Sequence, residues 1–196
     1  MNFWRLLSAF GDPYLTLPLA GIIMVWLATT GRRRIAVAWA TFFCIAALIV
    51  GVTKFAYAGW GLEISPLHFT VISGHTMLSS AVYPMAFYLC AHSAGERIAR
   101  WAARGGLGFA VLIGVSRVMV GAHSTSEVVV GLLLGSVVST VLVRALDRNG
   151  HTLASSLRFV SACAITTFAC YGHAAPIQAW IVDTAPRLSH LLTQHL

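Results

Sequence analysis

Charge is scarce in this 196-residue chain: Asp, Glu, Lys and Arg make up 10% of it, against roughly 25% in a soluble domain. Hydrophobic residues take up 58%, and the mean hydropathy is +0.79. That balance excludes a soluble globular domain, a disordered chain, a collagen and a disulfide-rich scaffold. The four cysteines, Cys44, Cys90, Cys163 and Cys170, sit inside apolar runs. They form no C-x-x-C pair and no zinc-type spacing, so they read as small buried hydrophobes. The opening Met1-Asn-Phe-Trp-Arg-Leu-Leu lacks a basic region followed by a long apolar core, so no removable signal peptide is expected. No linker, low-complexity tract or internal repeat divides the chain, which predicts one domain over residues 1–196.

What is present is a series of long apolar stretches. A membrane span needs about 20 mostly apolar residues. Six stretches approach that length: Leu15–Thr30, Ile35–Lys54, Thr76–Ala94, Gly105–Val120, Glu127–Leu146 and Leu157–Ile181, the last with His173 and Pro176 near its end and so open to an early stop. The expected fold is an all-α integral membrane bundle of about six transmembrane helices. Met1–Phe10 is expected as a short interfacial helix turning at Gly11-Asp12-Pro13 into the first span. Thirteen Lys and Arg against six Asp and Glu give a formal net charge of +7. In a soluble chain such an excess would suggest nucleic acid. Here it falls on alternate connections: Arg32–Arg34 in the first, Arg97, Arg100 and Arg104 in the third, and Arg144, Arg148 and Arg158 around the fifth. Positive loops resist translocation, so these connections are assigned to the cytoplasmic side of an inner (plasma) membrane. The second and fourth connections then face outward, and no nucleic-acid partner is expected.

Those two outward connections hold the polar residues that packing explains least. The first carries Lys54, Glu63, His68, Ser73, Gly74 and His75; the second carries Ser116, Arg117, His123 and Glu127. Ionisable groups at membrane depth usually face a cavity or one another, so the two clusters are expected to meet in one pocket. Ser73-Gly74-His75 opens the third span, where a Ser cap and free amides favour an anion. By itself the triplet reads first as an ordinary Ser cap beside an interfacial histidine. His123 and Glu127 are four apart and share a helix face. A carboxylate on one imidazole nitrogen fixes the tautomer and leaves the other free to attack. Arg117 supplies a planar charge suited to phosphate oxygens. The plainer alternative is an Arg117–Glu127 ion pair tying two helices together.

In these residues the chain resembles the type 2 phosphatidic acid phosphatases, whose pocket is shared with vanadium haloperoxidases. The family's motifs are K-x6-R-P, P-S-G-H and S-R-x5-H-x3-D. The third appears as Ser116-Arg117, His123 and Glu127, with Glu in place of Asp. The second appears as Ser73-Gly74-His75, with Ile72 in place of Pro. Of the first only Lys54 remains, Gly61 and Leu62 standing at the Arg-Pro positions. The resemblance covers about Gly11 to Leu146. It implies that His123 is a nucleophile forming a phosphohistidine, that Glu127 orients it, and that His75 is the general acid. It further implies that Lys54, Ser73, Gly74 and Arg117 hold phosphoryl oxygens, with no metal or other cofactor. Ser116 and His68 are further candidates. His68 is a possible replacement for the missing arginine, or else a solvated loop residue. Glu63 is expected to cap or solvate its loop, and Lys54 has the alternative of snorkelling to the interface.

The activity this implies is hydrolysis of a lipid phosphate or diphosphate at the extracytoplasmic face, with undecaprenyl diphosphate the favoured substrate. A lipid phosphotransferase of the same family and a non-catalytic lipid-binding or transport protein are the alternatives. Acceptor-dependent transfer would mark the former and loss of turnover the latter.

Overall fold

The computed structural model describes residues 2–148 and 156–193. Among them the chain forms α1 (Phe3–Ala9), α2 (Pro13–Thr29), α3 (Arg33–Trp60), α4 (Gly74–Ala91), α5 (Glu96–Met119), α6 (Thr125–Arg148), α7 (Ser156–Cys170) and α8 (Ile177–Thr193). Short 3-10 turns lie at Ser65–Leu67 and His92–Ala94, and the described residues contain no strand. The protein is thus an all-α bundle. Among the described residues four segments are long and apolar enough to cross a membrane: Phe3–Thr29, Arg33–Trp60, Glu96–Met119 and Thr125–Arg148. Leu157–Cys170 is a shorter apolar helix. Along α3, Val37, Leu48 and Val52 are each more than half exposed, an arrangement that suits lipid and not water.

The turn expected at Gly11-Asp12-Pro13 separates α1 from α2. Asp12 occupies the N-cap of α2 and its Oδ1 accepts the Tyr14 amide at 2.8 Å, with Pro13 at the first helical position. Two tyrosines hold α1 in place: Tyr83 OH donates to the Phe10 carbonyl at 2.5 Å and Tyr171 OH to the Leu6 carbonyl at 3.0 Å.

Helix α4 is the centre of the bundle. Nearly every residue from Thr76 to Leu89 is buried, including Thr76, Ser79 and Ser80. Its neighbours α5 and α6 come close because they present glycine. A Cβ on Gly106 would lie 2.6 Å from the Tyr83 carbonyl oxygen, and one on Gly135 would lie 2.1 Å from that of Met77. Small residues at such contacts let helix backbones approach in a membrane. Pro84 lacks the amide that would bond the Ser80 carbonyl. Ser139 on α6 fills the gap, its Oγ donating to that carbonyl at 2.8 Å.

The last apolar stretch departs from the single span expected over Leu157–Ile181. Helix α7 stops at Cys170, Gly172 takes a left-handed φ of 85°, and α8 begins only at Ile177. Glycine at such a position ends a helix, and Pro176 cannot carry one on. The break turns the following residues back over the polar end of the bundle.

Candidate active site

The polar residues picked from sequence lie at helix ends. Lys54 is near the end of α3, Gly74 and His75 open α4, Arg117 is in the last turn of α5, and Glu127 is in the first turn of α6. These ends converge on a cavity of about 900 Å³ whose wall includes Lys54, Gly74, His75, Arg117 and His123, a size that suits a ligand.

Its firmest feature is the pair of His123 and Glu127. His123 Nδ1 lies 2.7 Å from Glu127 Oε2, with the two side chains 10% and 5% exposed. The glutamate is anchored at both oxygens. Oε1 accepts from the Thr70 amide (2.8 Å), the Thr70 hydroxyl (2.5 Å) and the Val71 amide (3.1 Å), while Oε2 also accepts the Ser124 amide at 3.2 Å. The extra methylene relative to aspartate is therefore used: one carboxylate reaches the imidazole and also the loop that leads into α4. Burial pushes the His123 imidazole below its ordinary value, with the Arg117 and Lys54 charges acting in the same direction. The bond from Glu127 opposes them. Burial is the largest of these effects, so the neutral ring is favoured.

Around this pair lie the cations. Arg117 and Lys54 both act on His75 through their charges. Lys54 Nζ is close to Gly74, since a Cβ added there would meet it at 3.8 Å. Arg117 Nη1 donates to Ser8 Oγ at 2.7 Å, and its Nε is buried without a hydrogen-bond partner. A buried donor left unpaired is costly, and an anion in the cavity would relieve it. Among the described residues no three His, Cys, Asp or Glu side chains are placed together to hold a metal ion.

Several sequence candidates stand elsewhere. Ser73 takes the N-cap position of α4, but its hydroxyl is fully buried and bonds Thr76 Oγ1 at 2.8 Å, making no cap bond. It is not part of the cavity wall. Ser116 is likewise buried, its hydroxyl spent on the Ile113 carbonyl at 2.6 Å. His68 is exposed in a left-handed turn (φ 46°) and does not line the cavity. Glu63 accepts from Ser65 Oγ at 2.9 Å, the loop-capping role expected of it, although it also borders the cavity.

Three contributors escaped the sequence reading. Thr70 is one, a loop threonine with no distinguishing pattern. Gln178 is another: α8 folds over the cavity beside Gly61, and Gln178 Oε1 accepts from Lys54 Nζ at 2.8 Å. It lies just past Pro176, at the end of the last apolar stretch. The third is Asp12, whose Asp-Pro signal marked only a turn. Its Oδ2 sits 3.6 Å from His75 Nε2.

Fold and cavity together define a helical membrane protein with a basic, histidine-bearing pocket at one end. Similarity to known proteins falls on the same elements. The model of the PAP2 superfamily matches residues 55–151. Over 141 residues the chain is 37% identical to an uncharacterized 22.5 kDa protein in the cps region of Klebsiella pneumoniae, covering 71% of this chain and 68% of that protein. It is also 29% identical over 148 residues to an undecaprenyl-diphosphatase of Sulfolobus acidocaldarius, covering 70% of this chain and 66% of that one. No solved structure matches. The chain belongs to the PAP2 superfamily, and that membership supports phosphatase activity.

Proposed function

We propose that the protein is a single-domain membrane phosphatase that hydrolyses a lipid phosphate or diphosphate through a phosphohistidine, without a metal ion. The observation that carries this reading is the His123–Glu127 pair, which commits Nδ1 to the carboxylate and leaves Nε2 for the cavity. Nε2 of neutral His123 attacks phosphorus, and the new P–N bond forms as the bond to the leaving oxygen breaks. His75 gives that oxygen its proton. Water then attacks the phosphohistidine, His75 takes the proton that water loses, and the P–N bond breaks to release inorganic phosphate. Lys54, Arg117 and the Gly74 amide hold the phosphoryl oxygens, and they stabilise the charge that grows in both transition states. Glu127 steadies the imidazolium-like ring.

A lipid substrate is favoured because the cavity wall continues into apolar side chains, Tyr57, Ile177, Val182 and Pro186. The arginine-rich connections lie at the opposite helix ends, which supports a cavity on the extracytoplasmic side. Similarity to an undecaprenyl-diphosphatase favours undecaprenyl diphosphate over phosphatidic acid and phosphatidylglycerol phosphate. The test is phosphate release in detergent with EDTA from these three lipids in parallel, alongside His123→Ala. EDTA-resistant release that the variant abolishes is the expected result. Absence of release from all three by folded protein would refute hydrolysis.

A further inference from the structure

The geometry points to a second carboxylate–histidine pair in the site: we infer that Asp12 is a positioning residue that holds His75 in its proton-donating form. The inference rests on the role of His75 proposed above. Asp12 lies outside the stretch matched by the family, in the turn between α1 and α2. That turn reaches α4 because residue 11 is glycine. A Cβ there would lie 2.7 Å from Ile113 Cγ2 and 3.1 Å from His75 Cβ.

The two oxygens of Asp12 have separate tasks. Oδ1 accepts the Tyr14 amide at 2.8 Å and the Ala175 amide at 2.9 Å, joining the start of α2 to the connection before α8. Oδ2 faces His75 Nε2 at 3.6 Å, with the Asp12 side chain 13% exposed. This separation is too long for a direct hydrogen bond. The carboxylate therefore acts as an opposite charge and leaves the imidazole proton available to a leaving oxygen. An acid at this position needs such a partner, because burial and then the charges of Arg117 from α5 and Lys54 from α3 oppose a protonated ring at His75, which His123 from the loop before α6 also faces. Arg5 from α1 and His173 from the α7–α8 connection border a smaller cavity of about 340 Å³ that His75 and Asp12 also line. Without Asp12, burial and the Arg117 and Lys54 charges would drive the proton off His75 unopposed.

In the reaction the pair works in both directions. His75 loses its proton to the leaving oxygen as the bond from phosphorus breaks, and regains one from the attacking water. The Asp12 carboxylate facing the ring favours its charged form at the start of the cycle and again at its end.

Asp12→Asn separates the two tasks. The amide oxygen can keep both backbone bonds made by Oδ1, while the charge facing His75 disappears. The expected result is kcat lowered about tenfold or more at neutral pH, since general acids contribute about 10²–10⁴. The alkaline limb of kcat should move down by about one pH unit or more, the scale of a nearby opposite charge. KM should not rise, because an anion site has lost a negative neighbour, and inhibition by inorganic phosphate should persist. Asp12→Glu should keep the wild-type limb. Asp12→Ser retains a capping oxygen and repeats the measurement if the asparagine variant does not fold. Wild-type kcat and pH profile in Asp12→Asn would overturn the inference. So would a parallel loss of kcat and phosphate inhibition, which marks a structural role only. If wild-type protein itself releases no phosphate, the proposed function fails and this inference with it.

Discussion

Glu127→Gln offers a sharp test of the site because the shape is preserved and only the chemistry changes. The native carboxylate accepts on both oxygens, three bonds from Thr70 and Val71 at Oε1 and two from His123 and Ser124 at Oε2. A glutamine must place its NH2 group on one side or the other. Toward Thr70 and Val71 it meets two fixed backbone amides. Toward His123 it meets one, the Ser124 amide, and an imidazole nitrogen able to become an acceptor. The second arrangement costs less, since each opposed donor left unsatisfied is worth about 1–3 kcal/mol. In it His123 Nδ1 accepts a hydrogen bond from the amide and the ring proton sits on Nε2, removing the lone pair that attacks phosphorus. Inverting a catalytic histidine in this way has cost about 10⁴ in kcat where a comparable pair was changed. That factor corresponds to about 5.4 kcal/mol. The expected outcome is kcat reduced about 10³–10⁴-fold, with KM nearly unchanged and the fold intact. The assay is initial-rate phosphate release in detergent, with thermal unfolding as the control. A variant that keeps more than a tenth of wild-type kcat would refute the tautomer argument.

Other expectations follow from neighbouring features. Burial holds His123 below its ordinary value, and the nucleophile is the neutral ring. The acid limb of kcat/KM should therefore lie below the normal histidine range; a limb at or above that range would contradict it. Gln178→Ala removes the acceptor for Lys54 Nζ and should raise KM several-fold with little change in kcat, read from substrate titrations; an unchanged KM would remove α8 from the site. Gly135→Val would drive a side chain into the α4 backbone, whose Met77 carbonyl stands 2.1 Å from the added Cβ. Overpacking costs about 1–3 kcal/mol, occasionally more, and here at least the upper figure is expected. For a chain of this size, Tm should fall by about 6–12 °C, and a shift under 2 °C would count against the close α4–α6 contact.

Much of this protein is fixed locally and was readable in order along the chain. Apolar stretches of membrane length specify helices because no other open structure satisfies the backbone in lipid. The pairing of His123 with Glu127 follows from helical spacing alone, since residues four apart share a face. The turn at Asp12-Pro13 likewise carries its own local signal. Other features depend on what tertiary packing brings together. The long glutamate makes sense only once the Thr70–Val71 loop, 56–57 residues away, supplies donors to its second oxygen. The hydroxyls of Ser73 and Ser116 were plausible ligands by type, but burial committed them to Thr76 and to the Ile113 carbonyl. Pro176 marked an early stop for the last apolar stretch, but a hydropathy profile averages over residues and could not place the break at Gly172 or show the new helix that sends Gln178 over the pocket. Asp12 shows the same division most plainly. Sequence makes it a helix cap, and only the approach of Gly11 to His75, 64 residues further along, turns its second oxygen toward the chemistry. Patterns of spacing can encode contacts within one helix; contacts between helices depend on packing that no local pattern records.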